Sequence, residues 1–276
     1  MLTDLHVHLR RDDSNTPARE FLTTANVDRY REAAERHGIT ELGVSEHIYR
    51  FRQALSVWEH SFWRAEAKDD LDDYVGFLRE DTDLRVGLEA DFIVGREDRL
   101  ANLLDQTELD YVIGSVHFIG DQAVDHDGYD IWETNSHRPD EVWRRYFDTL
   151  GEAAATGLFD IIAHPDLVKV WGPHRPRPEG DLRRFYDRAM EGIAETQPAI
   201  EVSTAGLRKP VGELYPAVPF LEMCLEAGCP ITLSSDAHEP GHVGYGYERA
   251  LEVLDSLGVR ELATFEGRQR RLEPIG

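Results

Sequence analysis

The sequence predicts an α/β barrel, in which a closed parallel sheet is surrounded by helices. Short apolar runs alternate with charge-rich amphipathic stretches along the chain, a rhythm typical of parallel strands joined by helices. The chain has 276 residues, which is enough for one large barrel and its core. No linker rich in Ser, Gly or Pro divides it, so we expect one domain over residues 1–276.

Short apolar runs predict the strands. They cover residues 3–8, 41–45, 85–90, 110–116, 160–163, 199–203 and 231–234, and residues 261–265 are a possible eighth. Amphipathic stretches between the runs predict helices over residues 27–37, 140–156, 181–195, 219–227 and 246–257. Several of these helices end at a glycine, such as Gly157 or Gly228, which is a common helix stop. Repeated strand–helix units of this kind suit a closed barrel better than two small domains.

Three connections are longer than ordinary loops, and each directly follows a histidine that ends a strand. They cover about residues 48–71, 119–139 and 168–180, after His47, His117 and the segment that begins with His164. Because the carboxyl ends of barrel strands open at one mouth, we expect all three connections to stand over that mouth. Long loops in this position usually carry contacts to a substrate.

The composition excludes several classes of partner. The 53 acidic and 30 basic residues leave a formal net charge of −23, so we expect no nucleic-acid partner, which would need a basic surface. No apolar run approaches the roughly 18 residues of a membrane span, and the first residues lack the pattern of a signal peptide. Cys224 and Cys229 form no CxxC motif and are predicted to be buried, reduced thiols. We therefore expect a cytoplasmic protein, and the sequence leaves its oligomeric state open.

Half of the histidines stand at the ends of apolar runs, where an α/β barrel collects its active site. Two carboxylates occupy equivalent positions. Together these side chains are His6, His8, His47, Glu89, His117, His164, Asp236 and His238. Imidazole and carboxylate groups are the ligands of zinc, iron and manganese. The pattern predicts a metalloenzyme.

The spacing of these side chains lets several of them share one ion. His6 and His8 are two residues apart, which puts both on the same face of a strand, and Asp236 and His238 repeat that spacing. A carboxylate such as Glu89 at the end of a buried run is costly without a cation or donors. Since a catalytic zinc takes only three protein ligands, about nine ligand-type side chains predict two to three divalent ions, with Glu89 as the bridge. Ions about 3.5–4 Å apart are used for displacement at phosphate esters.

An ordered set of short motifs runs over nearly the whole chain. The motifs are the HxH at His6 and His8, Ser45-Glu46-His47, Gly87-Leu88-Glu89, Gly114-Ser115-Val116-His117, Ala163-His164-Pro165-Asp166, Glu201-Val202-Ser203-Thr204-Ala205-Gly206-Leu207 and Ser235-Asp236-Ala237-His238. On these motifs the chain resembles the polymerase-and-histidinol-phosphatase (PHP) family of metal-dependent phosphoesterases. Within that family it is most similar to the monofunctional histidinol-phosphate phosphatases.

The resemblance implies a distorted (β/α)7 TIM-like barrel, with the metal site at the carboxyl ends of the strands. It implies a centre of three ions. His6, His8, Glu89 and Asp236 would hold the first, and Glu89, His117 and His164 the second. His47 and His238 would hold the third with one acidic residue, Asp12 or Asp13, of which we prefer Asp13.

The resemblance also implies a reaction: hydrolysis of L-histidinol phosphate, a step of histidine biosynthesis, by attack of a metal-bridging hydroxide. Glu89, Asp236 and His238 are the candidate catalytic residues. The candidate phosphate contacts are Arg208, whose planar fork matches phosphate, and then Lys169, Arg50 and Arg52. A carboxylate for the amine and aromatic faces for the imidazole are expected from residues 49–63 and 125–132.

Three alternatives remain. The chain could act on another small phosphate ester, or it could be a metal-dependent regulator without turnover. It could also be an amidohydrolase-type barrel that cleaves a C–N bond. Such enzymes usually bridge two metals with a modified lysine, whereas here Glu89 takes that position and no lysine ends a strand.

Overall fold

Seven parallel strands follow one another around a single sheet. The structure is a computed structural model that describes residues 1–11, 16–135 and 137–276. The strands of the barrel and of two further hairpins are β1 (Thr3–Asp4), β2 (Glu41–His47), β3 (Arg85–Asp91), β4 (Tyr111–Ser115), β5 (Phe118–Ile119), β6 (Gln122–Ala123), β7 (Ile161–Ile162), β8 (Ala199–Ser203), β9 (Ile231–Ser234), β10 (Glu261–Glu266) and β11 (Gln269–Pro274). The order in the barrel sheet is β1-β2-β3-β4-β7-β8-β9, and every pairing is parallel.

The sheet closes on itself immediately beyond its first and last strands. Val7 and Ala237 form an isolated parallel bridge, and the backbone N–H of His8 donates to the carbonyl of Ala237 at 2.8 Å. The bridge therefore joins the two segments that carry the HxH and the DxH motifs. The predicted distorted (β/α)7 barrel is confirmed.

Helices fill the connections between the barrel strands. They are α1 (Thr24–Arg36), α2 (Ser61–Glu66), α3 (Leu71–Asp81), α4 (Glu97–Asp105), α5 (Trp132–Asn135), α6 (Pro139–Ala155), α7 (Arg183–Thr196), α8 (Val218–Glu226) and α9 (Tyr247–Ser256). The five predicted helices are present with shifted ends, and α2 to α5 were not predicted. None of the helices in the described ranges is long and apolar enough to cross a membrane.

Helix α3 shows why an acidic helix was not predicted from the sequence pattern. Its fully buried residues are Leu71, Tyr74 and Leu78, and charged residues occupy both ends of the segment. The Asp70 carboxylate caps its start by accepting from the backbone N–H groups of Asp72 and Asp73. The stabilisation of this helix comes from its cap and from the packing of its apolar residues, including the partly buried Val75 and Phe77, against the core.

The possible eighth strand is present as β10, but it does not join the barrel sheet. β10 pairs antiparallel with β11, and this hairpin lies outside the seven-stranded sheet. Ala263 and Phe265 of β10 are buried in one cluster with Leu5, Tyr111 and Ile113 from the barrel strands. Because the Val7–Ala237 bridge already closes the sheet, the apolar residues of β10 are buried by packing against the barrel interior instead of by pairing into it.

Glycines on two adjacent strands make room for one large ring inside the barrel. Methyl groups added at Gly43 and Gly87 would each lie 2.3 Å from side-chain atoms of Tyr111. The Tyr111 hydroxyl donates to the carbonyl oxygen of Leu5 at 2.6 Å, which holds the ring in place. The interior beneath the strand ends is therefore solid and supports whatever lies above it.

Candidate metal centre and active site

The predicted ligands meet at the carboxyl ends of the barrel strands. The structure brings together His6, His8, His47, Glu89, His117, His164, Asp236 and His238, which come from six different strand ends. Most are buried, whereas Asp236 and His238 keep side-chain exposures of 15% and 17% at the rim. The remaining predicted ligand, Asp13, and its alternative Asp12 lie outside the described residues.

Glu89 occupies the middle of this cluster, and its two oxygens face different histidines. Oε1 lies 3.2 Å from Nε2 of His164 and 3.4 Å from Nε2 of His117. Oε2 lies 3.3 Å from Nε2 of His6 and 3.6 Å from Nε2 of His8, and it also contacts Nδ1 of His47. If ions were bound here, a carboxylate in this position would be able to give one oxygen to each of two of them.

Asp236 and His238 complete the cluster from the last barrel strand. Oδ1 of Asp236 lies 3.4 Å from Nε2 of His8 and 3.7 Å from Nε2 of His6. Nε2 of His238 lies 3.3 Å from Nε2 of His47. Asp236 has a φ of 50°, a left-handed conformation that is unfavourable for a residue with a side chain and is often found at functional sites.

The residues of the cluster fit divalent ions. Ligand atoms on one tetrahedral zinc ion lie about 3.3 Å apart, from bond lengths of about 2.0–2.1 Å, and the separations above are close to this value. Nε2 of His6, Nε2 of His8, Oε2 of Glu89 and Oδ1 of Asp236 are buried and lack a hydrogen-bond partner within the described ranges. Buried polar atoms of this kind are costly unless a cation satisfies them.

The electrostatics of the cluster also favour cations. Burial lowers the pKa of His6, but the carboxylates of Glu201, Glu89 and Asp236 outweigh it and raise the pKa well above its ordinary value. Burial likewise opposes a charged His117, yet Asp91 and neighbouring acids raise its pKa to about 10. The protein thus stabilises positive charge here, whether it is carried by protons or by metal ions.

Carboxylates behind the histidines hold the rings in place. Glu201 Oε1 lies 2.8 Å from Nδ1 of His6, and Asp91 Oδ1 lies 2.7 Å from Nδ1 of His117. Fixing one ring nitrogen in this way directs the other toward a metal. Neither Asp91 nor Glu201 was predicted from the sequence as a site residue. The signal was present, because Glu201 is the one carboxylate in the strand Ala199–Ser203 and Asp91 lies two residues after Glu89, on the same face of its strand.

A cavity of about 460 Å³ opens above the ligand cluster. Glu89, His117, His164, Asp236 and His238 lie at its floor. Its walls come from the three long connections, which contain short helices and a hairpin rather than plain loop. The first contributes Tyr49, Phe62 and Glu66, the second Asp125 and His126, and the third Val170 and Trp171.

Two of the predicted phosphate contacts lie beside the cluster. Arg208 donates from Nη2 to the backbone carbonyls of Ser235 and Asp236 at 2.8 and 2.9 Å, which places its guanidinium against the segment that carries a ligand. Its Nη1 is buried and lacks a hydrogen-bond partner in the described structure. Arg50 lines the cavity and donates to Oε2 of Glu46 at 2.6 Å.

The structure does not bring the other two predicted phosphate contacts to the cavity. Lys169 is buried, and its Nζ lies 2.8 Å from both the Asp166 carboxylate and the carbonyl oxygen of Leu214. Arg52 is about half exposed and pairs with Asp70 at 2.8 Å. Both side chains are thus engaged in local ion pairs away from the ligand cluster.

Comparisons with known proteins agree with this geometry. The model of the PHP domain family matches residues 4–205. A probable histidinol-phosphatase of Deinococcus radiodurans is 33% identical over 91% of this chain and 94% of that protein. The histidinol-phosphatase of Bacillus subtilis is 25% identical over 90% of this chain and 98% of its own.

A solved structure shares the fold over almost the full length. It is histidinol phosphate phosphatase from Lactococcus lactis subsp. lactis, complexed with zinc, L-histidinol and phosphate. The two chains are 22% identical, superpose with a TM-score of 0.75, and each is covered to 98%. The barrel fold is therefore shared with that structure over almost the full length of both chains.

Proposed function

Because the chain belongs to the PHP domain family, we propose that it is a phosphoric monoester hydrolase that converts L-histidinol phosphate to L-histidinol and phosphate. One observation carries the proposal: a single cavity joins a metal-ligand cluster at its floor to aromatic and acidic walls. The relatives named histidinol-phosphatase support the same substrate. The two cysteines are free and buried, which agrees with the reducing cytoplasm in which we propose that the enzyme acts.

The cavity matches the two ends of this substrate. Its volume of about 460 Å³ lies in the range of pockets that enclose small ligands. The phosphate belongs at the floor, where the ligand cluster attracts anions once it is loaded. The carboxylates of Glu66 and Asp125 suit the ammonium group, and the rings of Tyr49 and Phe62 offer apolar faces to the imidazole.

We assign two to three divalent ions of zinc, iron or manganese to the cluster. His6, His8 and Asp236 form one candidate group, and Glu89 is the carboxylate shared with the groups that contain His117 and His164. His8, His47 and His238 form a further group, to which we add Asp13. When bound, such ions activate water and neutralise the charge of the phosphoryl oxygens.

The protein's own groups complete the reaction. Glu89 fixes the spacing of the site, because both of its oxygens contact ligand histidines. Asp236 and His238 are the most accessible of these residues, so we propose that both act at the leaving oxygen. Asp236 would do so by holding an ion there, and His238 would supply the proton from the ring nitrogen that holds no ion. Nη1 of Arg208 and the guanidinium of Arg50 would bind phosphate oxygens.

Turnover of a set of phosphate esters tests the substrate. We expect kcat/KM for L-histidinol phosphate to exceed that for p-nitrophenyl phosphate by at least about 100-fold, or about 3 kcal/mol of transition-state stabilisation. A phosphorylated amino alcohol without the imidazole serves as the matched control for the aromatic wall. Equal values for all three esters would show that the enzyme acts on a different phosphate ester.

A further inference from the structure

Glu201 contacts two separate metal ligands with its two oxygens. The side chain is fully buried on β8. Oε1 lies 2.8 Å from Nδ1 of His6, which follows β1. Oε2 accepts the backbone N–H of His164, which follows β7, at 2.7 Å. One carboxylate on β8 therefore links the ligand that follows β7 with the ligand that follows β1.

The first contact determines which nitrogen of His6 is available to a metal. A carboxylate oxygen can only accept, so Nδ1 of His6 must carry the hydrogen. In the neutral ring, the form that binds a metal, Nε2 then has the lone pair, and it points at Oε2 of Glu89 and Oδ1 of Asp236, at 3.3 and 3.7 Å. Glu201 thus selects the tautomer of His6 that can bind an ion between these carboxylates.

The second contact determines the direction of the His164 side chain. His164 has a φ of 24°, outside the conformations that residues with side chains ordinarily adopt. The hydrogen bond from its backbone N–H to Glu201 holds the chain in this conformation. The ring then places Nε2 at 3.2 Å from Oε1 of Glu89. Glu201 supports a strained backbone at the residue where that strain aims a ligand.

We propose that Glu201 is a positioning residue that acts on two metal ligands at once: it selects the tautomer of His6 and holds the backbone conformation of His164. The inference rests on the proposed metal centre and adds to it a residue that contacts no ion and no substrate. Asp91 provides the comparison, because its Oδ1 orients only His117 and its Oδ2 lacks a hydrogen-bond partner among the described residues.

Replacing each carboxylate by its amide distinguishes a carboxylate that makes two contacts, Glu201, from one that makes a single contact, Asp91. In Glu201→Gln, the amide oxygen can accept from His6 or from His164 but not from both. The NH2 group then faces either a backbone N–H or the hydrogen on Nδ1 of His6. In Asp91→Asn, the amide oxygen can keep the bond to His117, and the NH2 group takes the unpartnered position. Both changes remove one negative charge, so only the number of contacts differs.

The experiment measures zinc affinity by chelator competition and zinc content per chain by elemental analysis. We expect Glu201→Gln to weaken zinc binding on the order of 100-fold and Asp91→Asn by no more than about 10-fold, the two ends of the range for residues behind a metal ligand. With excess zinc, Glu201→Gln should recover kcat in part, whereas a variant with general packing damage would not. Equal zinc affinity in the wild type and Glu201→Gln would overturn the proposal.

A second measurement requires no variant. Long-range ¹H–¹⁵N NMR of the zinc-loaded wild type should show His6 protonated at Nδ1 and metal-bound at Nε2. A His6 bound to zinc through Nδ1 would overturn the inference even if Glu201→Gln does not fold. A wild type that binds no zinc, iron or manganese would instead refute the metal centre itself, so the two failures are distinguishable.

Discussion

Replacing Glu89 by glutamine is the sharpest test of the bridging arrangement. The Ser115 hydroxyl donates to Oε1 of Glu89 at 2.6 Å, so the amide oxygen of the variant should take that position. The NH2 group then replaces Oε2, the atom that faces His6, His8 and His47. A hydrogen-bond donor would point at nitrogens whose lone pairs are needed for ions.

The expected loss follows from these contacts. Changes behind a metal ligand typically cost 10–100-fold, and this change removes a ligand atom and one negative charge from the centre itself. We therefore expect kcat/KM for L-histidinol phosphate to fall by at least about 10³-fold, equivalent to about 4 kcal/mol. The oxygen that faces His117 and His164 is retained, so the metal content should fall by part of its wild-type value and not to zero.

The assay combines phosphate release with elemental analysis on the same preparation. Thermal unfolding in the presence of a chelator serves as the control for folding, because Glu89→Gln should still form the barrel when no ions are bound. A variant with wild-type metal content and kcat/KM within about threefold of the wild type would refute the bridging role of Glu89.

Further predictions concern protons, a buried carboxylate and packing. Because the pKa of His117 is about 10 without metal, binding of zinc at pH 7 should release protons, and zinc affinity should increase as the pH rises. Calorimetry in buffers of different ionisation enthalpy measures the proton release. An identical binding heat in every buffer would contradict it. Burial alone would raise the pKa of Glu46, but Arg50 and other partners lower it from 4.5 to about 2. The ionised Glu46 therefore stabilises the folded state fully above pH 4.5, and this contribution is lost as the pH falls through about 2. Glu46→Gln should cost up to about 3 kcal/mol in urea unfolding at pH 7, and an unchanged midpoint would be inconsistent with that role. Gly87→Ala should destabilise by about 1–3 kcal/mol because its methyl group would meet Tyr111 at 2.3 Å, whereas Gly76→Ala in α3, with open space around it, should be neutral or stabilising.

The side chains that meet at the mouth of the barrel could be predicted from sequence, because the ends of strands can be recognised without a structure. An apolar run followed directly by histidine or a carboxylate places that side chain at the mouth of a parallel barrel, whatever the helices between the strands do. His47 and Glu89 show this, because they lie on neighbouring strands in register with each other. Asp13 stays a prediction, since its position lies outside the described residues.

Contacts between distant elements were not predictable in the same way. Lys169 follows a ligand segment closely in sequence, yet its ammonium group donates to the carbonyl oxygen of Leu214, in a distant part of the chain, at 2.8 Å. Glu201 was not predicted to belong to the site, because in the sequence it is only one carboxylate in an apolar strand. Its partners come from the segments after β1 and after β7. Such pairings depend on side-chain directions and on register across the barrel, which periodicity in the sequence does not report.

The sequence by itself determined the fold class, the side chains that gather at the strand ends and the metal chemistry that they favour, because these depend on local hydrophobic pattern and on residue type. The tertiary structure decided the rest. It closed the barrel at seven strands through Val7 and Ala237, directed β10 to pack beneath it, and gave the two oxygens of Glu89 to different histidines. The physical reason is that a buried charge takes the partner that lies within about 4 Å in space, and that distance exists only once the chain has folded.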